Sequence, residues 1–267
     1  MTVSSMWDGF LKTRTENYKM YEEYLKQLKT LLSVEYNCSP GDFDRDVNIL
    51  TVSALNEGRR QYSSERPFFS MATLGGNTVM TADEVLQPFL TGYMKSKLGH
   101  WLFEIPNILP INDELKKFGY RLSQTHHMFL PCKNTDADKG LPVKWYYDRE
   151  IDRFYGDERF PNAICPQYLP ERPDRIAVCA YDGEEIAAMA GCSQDAPHWQ
   201  QIGIDVLPGY RSRGIGTYLV TLLKNKIIER GDIPFYGTAV ANYHSQNIAL
   251  NCGFKPVWVE IGAEKLK

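Results

Sequence analysis

Two arginines and two glycines stand within Arg211-Ser212-Arg213-Gly214-Ile215-Gly216-Thr217, directly after an apolar run that ends in Val206-Leu207. Guanidinium groups hold phosphate oxygens through paired, charge-assisted N–H bonds. Glycines let backbone N–H groups approach a ligand closely, and a helix that starts there adds partial positive charge. The chemistry of this turn is capture of a diphosphate. A second polar group follows in Asn242-Tyr243-His244-Ser245, at the head of a short segment that closes on Gly253-Phe254.

Other phosphate motifs do not fit. A dinucleotide fingerprint needs a third glycine where Leu219 stands, and no Gly-Lys-Ser/Thr follows as a Walker loop requires. A solvated basic turn is the plain alternative for Arg211 and Arg213, and Gly253-Phe254 alone is an ordinary helix stop. The six cysteines (38, 132, 165, 179, 192 and 252) lack C-x-x-C spacing, so neither a zinc site nor a disulfide framework is indicated, and no metal is expected. A thiol nucleophile needs a base, yet the five histidines form no local thiol-enzyme signature.

The elements that position these residues follow from periodicity. Trp199 to Leu207 alternates as a half-buried strand, and Leu219, Leu222, Leu223, Ile227 and Ile228 recur at helical spacing up to Gly231. Phe235 to Val240 predicts a strand. Upstream, Asp182-Gly183 between two apolar runs predicts a hairpin over 176–191. A proline-bearing loop covers 160–172, and 141–156 reads as a helix. In the first half, 10–34 predicts an amphipathic helix that Thr13 and Glu16 would cap, with further helices around 44–56, 82–97 and 112–118. Strands are expected over 68–74, 101–105 and 121–130, with a turn at Gly75-Gly76-Asn77. The chain is expected to divide near residue 131, into regions 1–131 and 132–267.

The series strand, Arg-x-x-Gly-x-Gly, helix, strand, Asn-x-x-Ser, short helix, Gly-Phe, strand resembles the acetyl-CoA-binding core of the GCN5-related N-acetyltransferases, over roughly residues 174–260. The resemblance implies an α/β fold with a mixed, mainly antiparallel sheet flanked by helices, and acetyl-CoA as acetyl donor. It implies that backbone groups at Val206 and Leu207 meet the pantetheine and the thioester oxygen. Residues 211–217 would hold the diphosphate, with Ile215, Gly216 and Thr217 opening the helix, and Asn242 and Ser245 would touch the pantetheine arm.

Acetyl transfer to an amine also needs a base and a proton for the departing thiolate. Asp205 is the first candidate base, with a capping or pairing role as its alternative, and Asp195 is the second. His198 reads as a surface histidine. Many relatives carry a tyrosine where Ala249 stands, so Tyr243 is the substitute acid, with a purely structural role as its alternative.

The first half matches the second in outline: Asn107 to Gly119 spans 12 residues and Asn242 to Gly253 spans 11. It reads as a degenerate copy whose glycine turn lacks arginines, or as an unrelated strand-helix-strand unit. Net charge −3 and a pI near 6.0 argue against nucleic acid or an anionic membrane as partner. Without a long apolar run or a basic-then-apolar start, a cytoplasmic location is expected. The expected partner is a small-molecule amine, as in two-part bacterial acetyltransferases that act on antibiotics or metabolites. The competing class is a non-catalytic acyl-CoA-binding sensor. Acceptor identity and oligomeric state are not encoded in any motif.

Overall fold

The computed structural model describes residues 3–97, 99–137 and 140–266, with side chains of the first helix described from Thr13 onward. In chain order the elements are α1 (Val3–Glu35), β1 (Ile49–Val52), β2 (Phe69–Thr73), β3 (Thr78–Ala82), α2 (Gln87–Met94), α3 (Ile105–Lys116), β4 (Tyr120–Leu122), β5 (His126–Pro131), β6 (Val143–Tyr147), β7 (Asp174–Asp182), β8 (Glu185–Ala196), β9 (Trp199–Val206), α4 (Ile215–Glu229), β10 (Ile233–Ala239), α5 (Tyr243–Asn251) and β11 (Phe254–Lys265). Strands and helices form a mixed, mainly antiparallel α/β fold.

The chain forms two compact units. One comprises Met1–Leu25, Phe129–Gly237 and Asn242–Lys255; the other comprises Lys26–Met128, Thr238–Ala241 and Pro256–Lys267. Neither unit is a continuous stretch: each chain end joins the unit built mainly from the opposite half.

In the first unit the strands run β10-β9-β8-β7-β6, with β9 parallel to β10 and the other neighbours antiparallel. Alternation decides what each strand covers. Val178, Ala180, Ala188, Ala190 and Cys192 pack with Leu219, Leu223 and Ile227 of α4. The intervening Ala177, Cys179 and Met189 pack with Ile151, Phe160, Ala163 and Ile164 on the other face. Both faces are therefore buried, which explains why β7 and β8 read as unbroken apolar runs. Each fully buried Leu or Ile of α4 contributes about 1.5–3 kcal/mol. Asp182-Gly183 makes the expected hairpin turn, with Gly183 at φ +62° and Asp182 opposite Glu185.

The second unit orders its strands β1-β3-β2-β11, with β4 on the end of β11. Phe69, Met71, Met80 and Ala82 meet Leu86 and Leu90 near α2 and Ile111 and Leu115 of α3. Asp83 caps the 84–86 turn through the Val85 N–H. Arg60 is buried between two carboxylates: its Nε and Nη2 reach Glu35 at 2.7 and 2.6 Å, and its Nη1 and Nη2 reach Glu260 at 3.0 and 2.7 Å.

Four sequence expectations are corrected. Residues 141–156 form β6 and a 3-10 segment (Asp148–Phe154), not a helix, because Trp145 and its neighbours pair with Val178 in β7. Residues 44–56 contribute β1, whose parallel pairing with β3 outweighs local helix preference. Trp101 to Ile105 is not a strand; Gly99–Phe103 is a 3-10 turn leading into α3. Thr13 lies inside α1, ten residues past its start, so it caps nothing there. One strand was also missed. The Gly75-Gly76 turn closes a β2–β3 hairpin instead of opening a helix, so the first half lacks the strand-turn-helix order of the second.

Candidate active site

The site grows from the way β9 ends. Its pairing with β10 runs from Ile233 opposite Trp199 to Tyr236 opposite Ile202 and stops there, although β9 continues to Val206. On its other edge β9 stays paired with β8 as far as Val206 opposite Ala188, and the Leu207 N–H donates to Ala187 O at 3.0 Å. Successive peptide groups in a strand point to opposite edges. The N–H groups of Ile204 and Val206 therefore face the edge where β10 has parted. The Val206 carbonyl confirms the direction, since it accepts from Arg211 Nε at 3.1 Å. The amide of Leu207 is a correction: it belongs to the β8 ladder and cannot serve a ligand. Ile204 was missed, because the sequence does not encode which edge of β9 is open.

Past β9 the chain makes a 3-10 turn (Pro208–Tyr210) and reaches the N-terminus of α4. Gly214 sits at φ +77°, a left-handed conformation that glycine adopts at little cost. Gly216 serves packing instead: a β-carbon there would lie 3.1 Å from Ile248 Cδ1 and 3.4 Å from Val206 Cγ2. This closeness seats α4 against β9 and α5. Ser212 also takes a positive φ, +61°. Among the described residues, the N–H groups of Ile215, Gly216 and Thr217 have no backbone acceptor, as first-turn donors of a helix. Arg211, Ser212 and Arg213 are exposed, and neither arginine forms an ion pair among the described residues. The Arg213 guanidinium lies over the Tyr210 ring at 5.5 Å. Free donors, two cations and a positive helix end together fit an anionic diphosphate.

Asn242 caps α5, its side chain accepting from the Ser245 N–H at 3.2 Å. The Ser245 hydroxyl is 2.8 Å from the phenol oxygen of Tyr236, which is buried at the last β9–β10 rung. Burial pushes the Tyr236 phenol up to about 12; the Ser245 bond opposes the shift, and the charges of Cys252 and Asp205 add to it. Tyr236 was not singled out by sequence reasoning, since a strand tyrosine resembles any core aromatic. Tyr243 is 70 % exposed on the first turn of α5.

The carboxylates separate. Asp205 Oδ2 accepts from the N–H groups of Asn162 and Ala163 at 2.7 and 2.9 Å, and Oδ1 accepts from Asn162 Nδ2 at 2.6 Å. This is the capping alternative, with both oxygens engaged. Asp195 is corrected outright. It lies inside β8, fully buried, with Ser193 Oγ donating to it at 2.6 Å. Its neighbour Ala196 pairs with Trp199, at the opposite end of the ladder from Val206, roughly 20 Å along the strand at 3.3 Å per residue. His198, at φ +65°, stands at that same far end and touches Asp232 at 3.1 Å.

The site is therefore an α/β unit in which two parallel strands part beside a basic helix start. Residues 142–254 match the model of the Acetyltransferase (GNAT) family. No curated protein matches the chain. Among solved structures, it is similar to a GNAT-family protein of Novosphingobium aromaticivorans at 14 % identity and TM-score 0.43, over 54 % of this chain and 66 % of that one. It is similar to a GCN5-related N-acetyltransferase-like protein of Streptococcus suis at 14 % identity and TM-score 0.44, over 61 % and 68 %. The Salmonella typhimurium protein yncA, solved with its cofactor acetyl-CoA, is similar at 10 % identity and TM-score 0.35, over 48 % and 95 %. The chain thus spans just under two thirds of the length of the Novosphingobium protein. Among the described residues no helix is long and apolar enough to cross a membrane.

Proposed function

We propose that this protein transfers an acetyl group from acetyl-CoA to the amine of a small molecule, in the cytoplasm. The observation that carries this reading is the open edge of β9 beside the unbonded first-turn donors of α4. Arg211, Ser212, Arg213 and the N–H groups of Gly214, Ile215, Gly216 and Thr217 take the diphosphate. Ile204 and Val206 receive the pantetheine amide and the thioester carbonyl as an added strand would be received, and the Val206 N–H stabilises the oxyanion of the tetrahedral intermediate. Loss of such a donor typically costs about 10²–10³ in rate. Asn242 and Ser245 border the pantetheine arm.

Asp205 acts here as the anchor of the loop beginning at Asn162, and that loop borders the amine. A non-catalytic acyl-CoA sensor is the second reading, favoured by the engagement of both Asp205 oxygens and by Ala249 in place of a tyrosine. Calorimetric titration with CoA, followed by mass spectrometry of amine mixtures incubated with acetyl-CoA, tests both. CoA binding with amine-dependent product supports the enzyme. Binding without product supports the sensor, and absence of CoA binding refutes both.

A further inference from the structure

The phenol of Tyr236 and the hydroxyl of Ser245 form a pair that the proposed reaction does not yet use. Tyr236 is at the last rung of the β9–β10 ladder, opposite Ile202, where the two strands part. Its ring is enclosed by Phe129 and Phe254 at centroid distances of 6.5 and 6.1 Å. Its oxygen lies 2.8 Å from Ser245 Oγ, on the first turn of α5. Ser245 is only half-buried, whereas Tyr236 is buried, so the serine is the end of this pair that solvent reaches.

A phenol and a serine hydroxyl each have one proton. The buried phenol remains protonated throughout the neutral range, and its O–H, donated as a hydrogen bond to Ser245 Oγ, is satisfied without water. With that bond accepted, the serine proton is left to point away from Tyr236. A hydroxyl with a rotatable proton is ordinarily an unspecific donor; one whose oxygen already accepts a fixed bond is a directed one.

We propose that Tyr236 is a positioning residue, which holds the Ser245 hydroxyl so that it donates a hydrogen bond to the sulfur of bound CoA. This deepens the acetyl-CoA reading and rests on it. No proton leaves Tyr236, whose acidity is far weaker than a thiol's. The directed donor favours the departing thiolate over the thioester, because hydrogen bonds strengthen toward a charged acceptor.

Calorimetry with CoA and with desulfo-CoA, on wild-type protein and on Tyr236→Phe, Ser245→Ala and the double variant, tests the proposal. Each single variant is expected to bind CoA roughly fivefold more weakly, the double variant no more weakly than Ser245→Ala, and all four forms are expected to bind desulfo-CoA alike. Equal CoA affinity in wild type and Tyr236→Phe overturns the proposal while leaving the CoA site standing. A matching loss for desulfo-CoA also overturns it, since the phenol then only supports the packing. Failure of the wild type to bind CoA removes the acetyltransferase reading and this inference together. Ser245→Ala, which keeps the Tyr236 ring and its packing, covers the case in which Tyr236→Phe does not fold.

Discussion

Gly203 of β9 lies directly opposite Gly191 of β8, and together they make the seat on which the 160–172 loop rests. A β-carbon on Gly203 would come within 1.8 Å of Asn162 O, and one on Gly191 within 2.1 Å of Ala163 O. The same loop residues donate their N–H groups to Asp205, two positions beyond Gly203 on the same face. Paired glycines admit the loop and one carboxylate fastens it.

Gly203→Ala is accordingly expected to destabilise the protein by about 1–3 kcal/mol, the usual cost of overpacking. Gly209→Ala, whose new β-carbon meets nothing within 4 Å, is the control. Denaturant unfolding of both variants is the measurement, and equal midpoints would contradict the seat.

Asp205→Asn separates anchor from base. An amide must turn its own NH₂ toward the loop's donors, so stability should fall by about 0.5–2 kcal/mol, as for a lost cap. Rate per folded molecule should stay within a factor of two or so of wild type, against a loss of about 10²–10⁴ for a removed general base. Thermal unfolding and turnover on one preparation decide. A variant of normal melting temperature with a collapsed rate would restore Asp205 as the base.

Removing both arginines from the basic turn, Arg211→Ala with Arg213→Ala, should weaken CoA binding at least tenfold, since each charge-assisted bond contributes about 1.5–3 kcal/mol. Wild-type affinity should fall with added salt more steeply than the variant's. Titration should also give one site per chain, because the Gly75-Gly76 turn carries no cation and leads into a strand. Undiminished affinity in the folded double variant would rule out a diphosphate at this turn.

Arg60→Met leaves the largely enclosed Glu35 and Glu260 without their buried cation, and breaking a buried network typically costs about 3–5 kcal/mol. Burial alone would push Glu260 up, but the Arg60 charge and the bonds from Arg60 and Trp258 hold its pKa below the ordinary value. A depressed carboxylate pKa contributes stability above its unfolded value, near 4.5, and loses it as pH falls further. The difference between wild type and variant should therefore be full at pH 7 and shrink below about pH 4.5. Unfolding curves across that range check the sign; a difference that widens in acid would contradict it.

Local chemistry was legible in the sequence wherever a residue's role depends on its neighbours along the chain. The α4 start, the Asp182-Gly183 hairpin and the Gly253 stop all follow from short-range backbone preference, and all fall where the spacing placed them. The match of residues 142–254 to the acetyltransferase family agrees with the motifs that carry it. Tertiary pairing decided the rest. β6 and β1 are strands because they complete ladders with partners 29–37 positions away in one case and 30 in the other, which no local window contains. Asp195 and Asp205 look alike in sequence, both acidic residues beside apolar strand positions, yet one is sealed in β8 and the other holds a loop 43 positions earlier. The open edge of β9, which exposes Ile204 and Val206 but not Leu207, exists only because β10 stops pairing at Tyr236. Backbone edges and their partners are properties of strands side by side, and a single strand's residues do not record them.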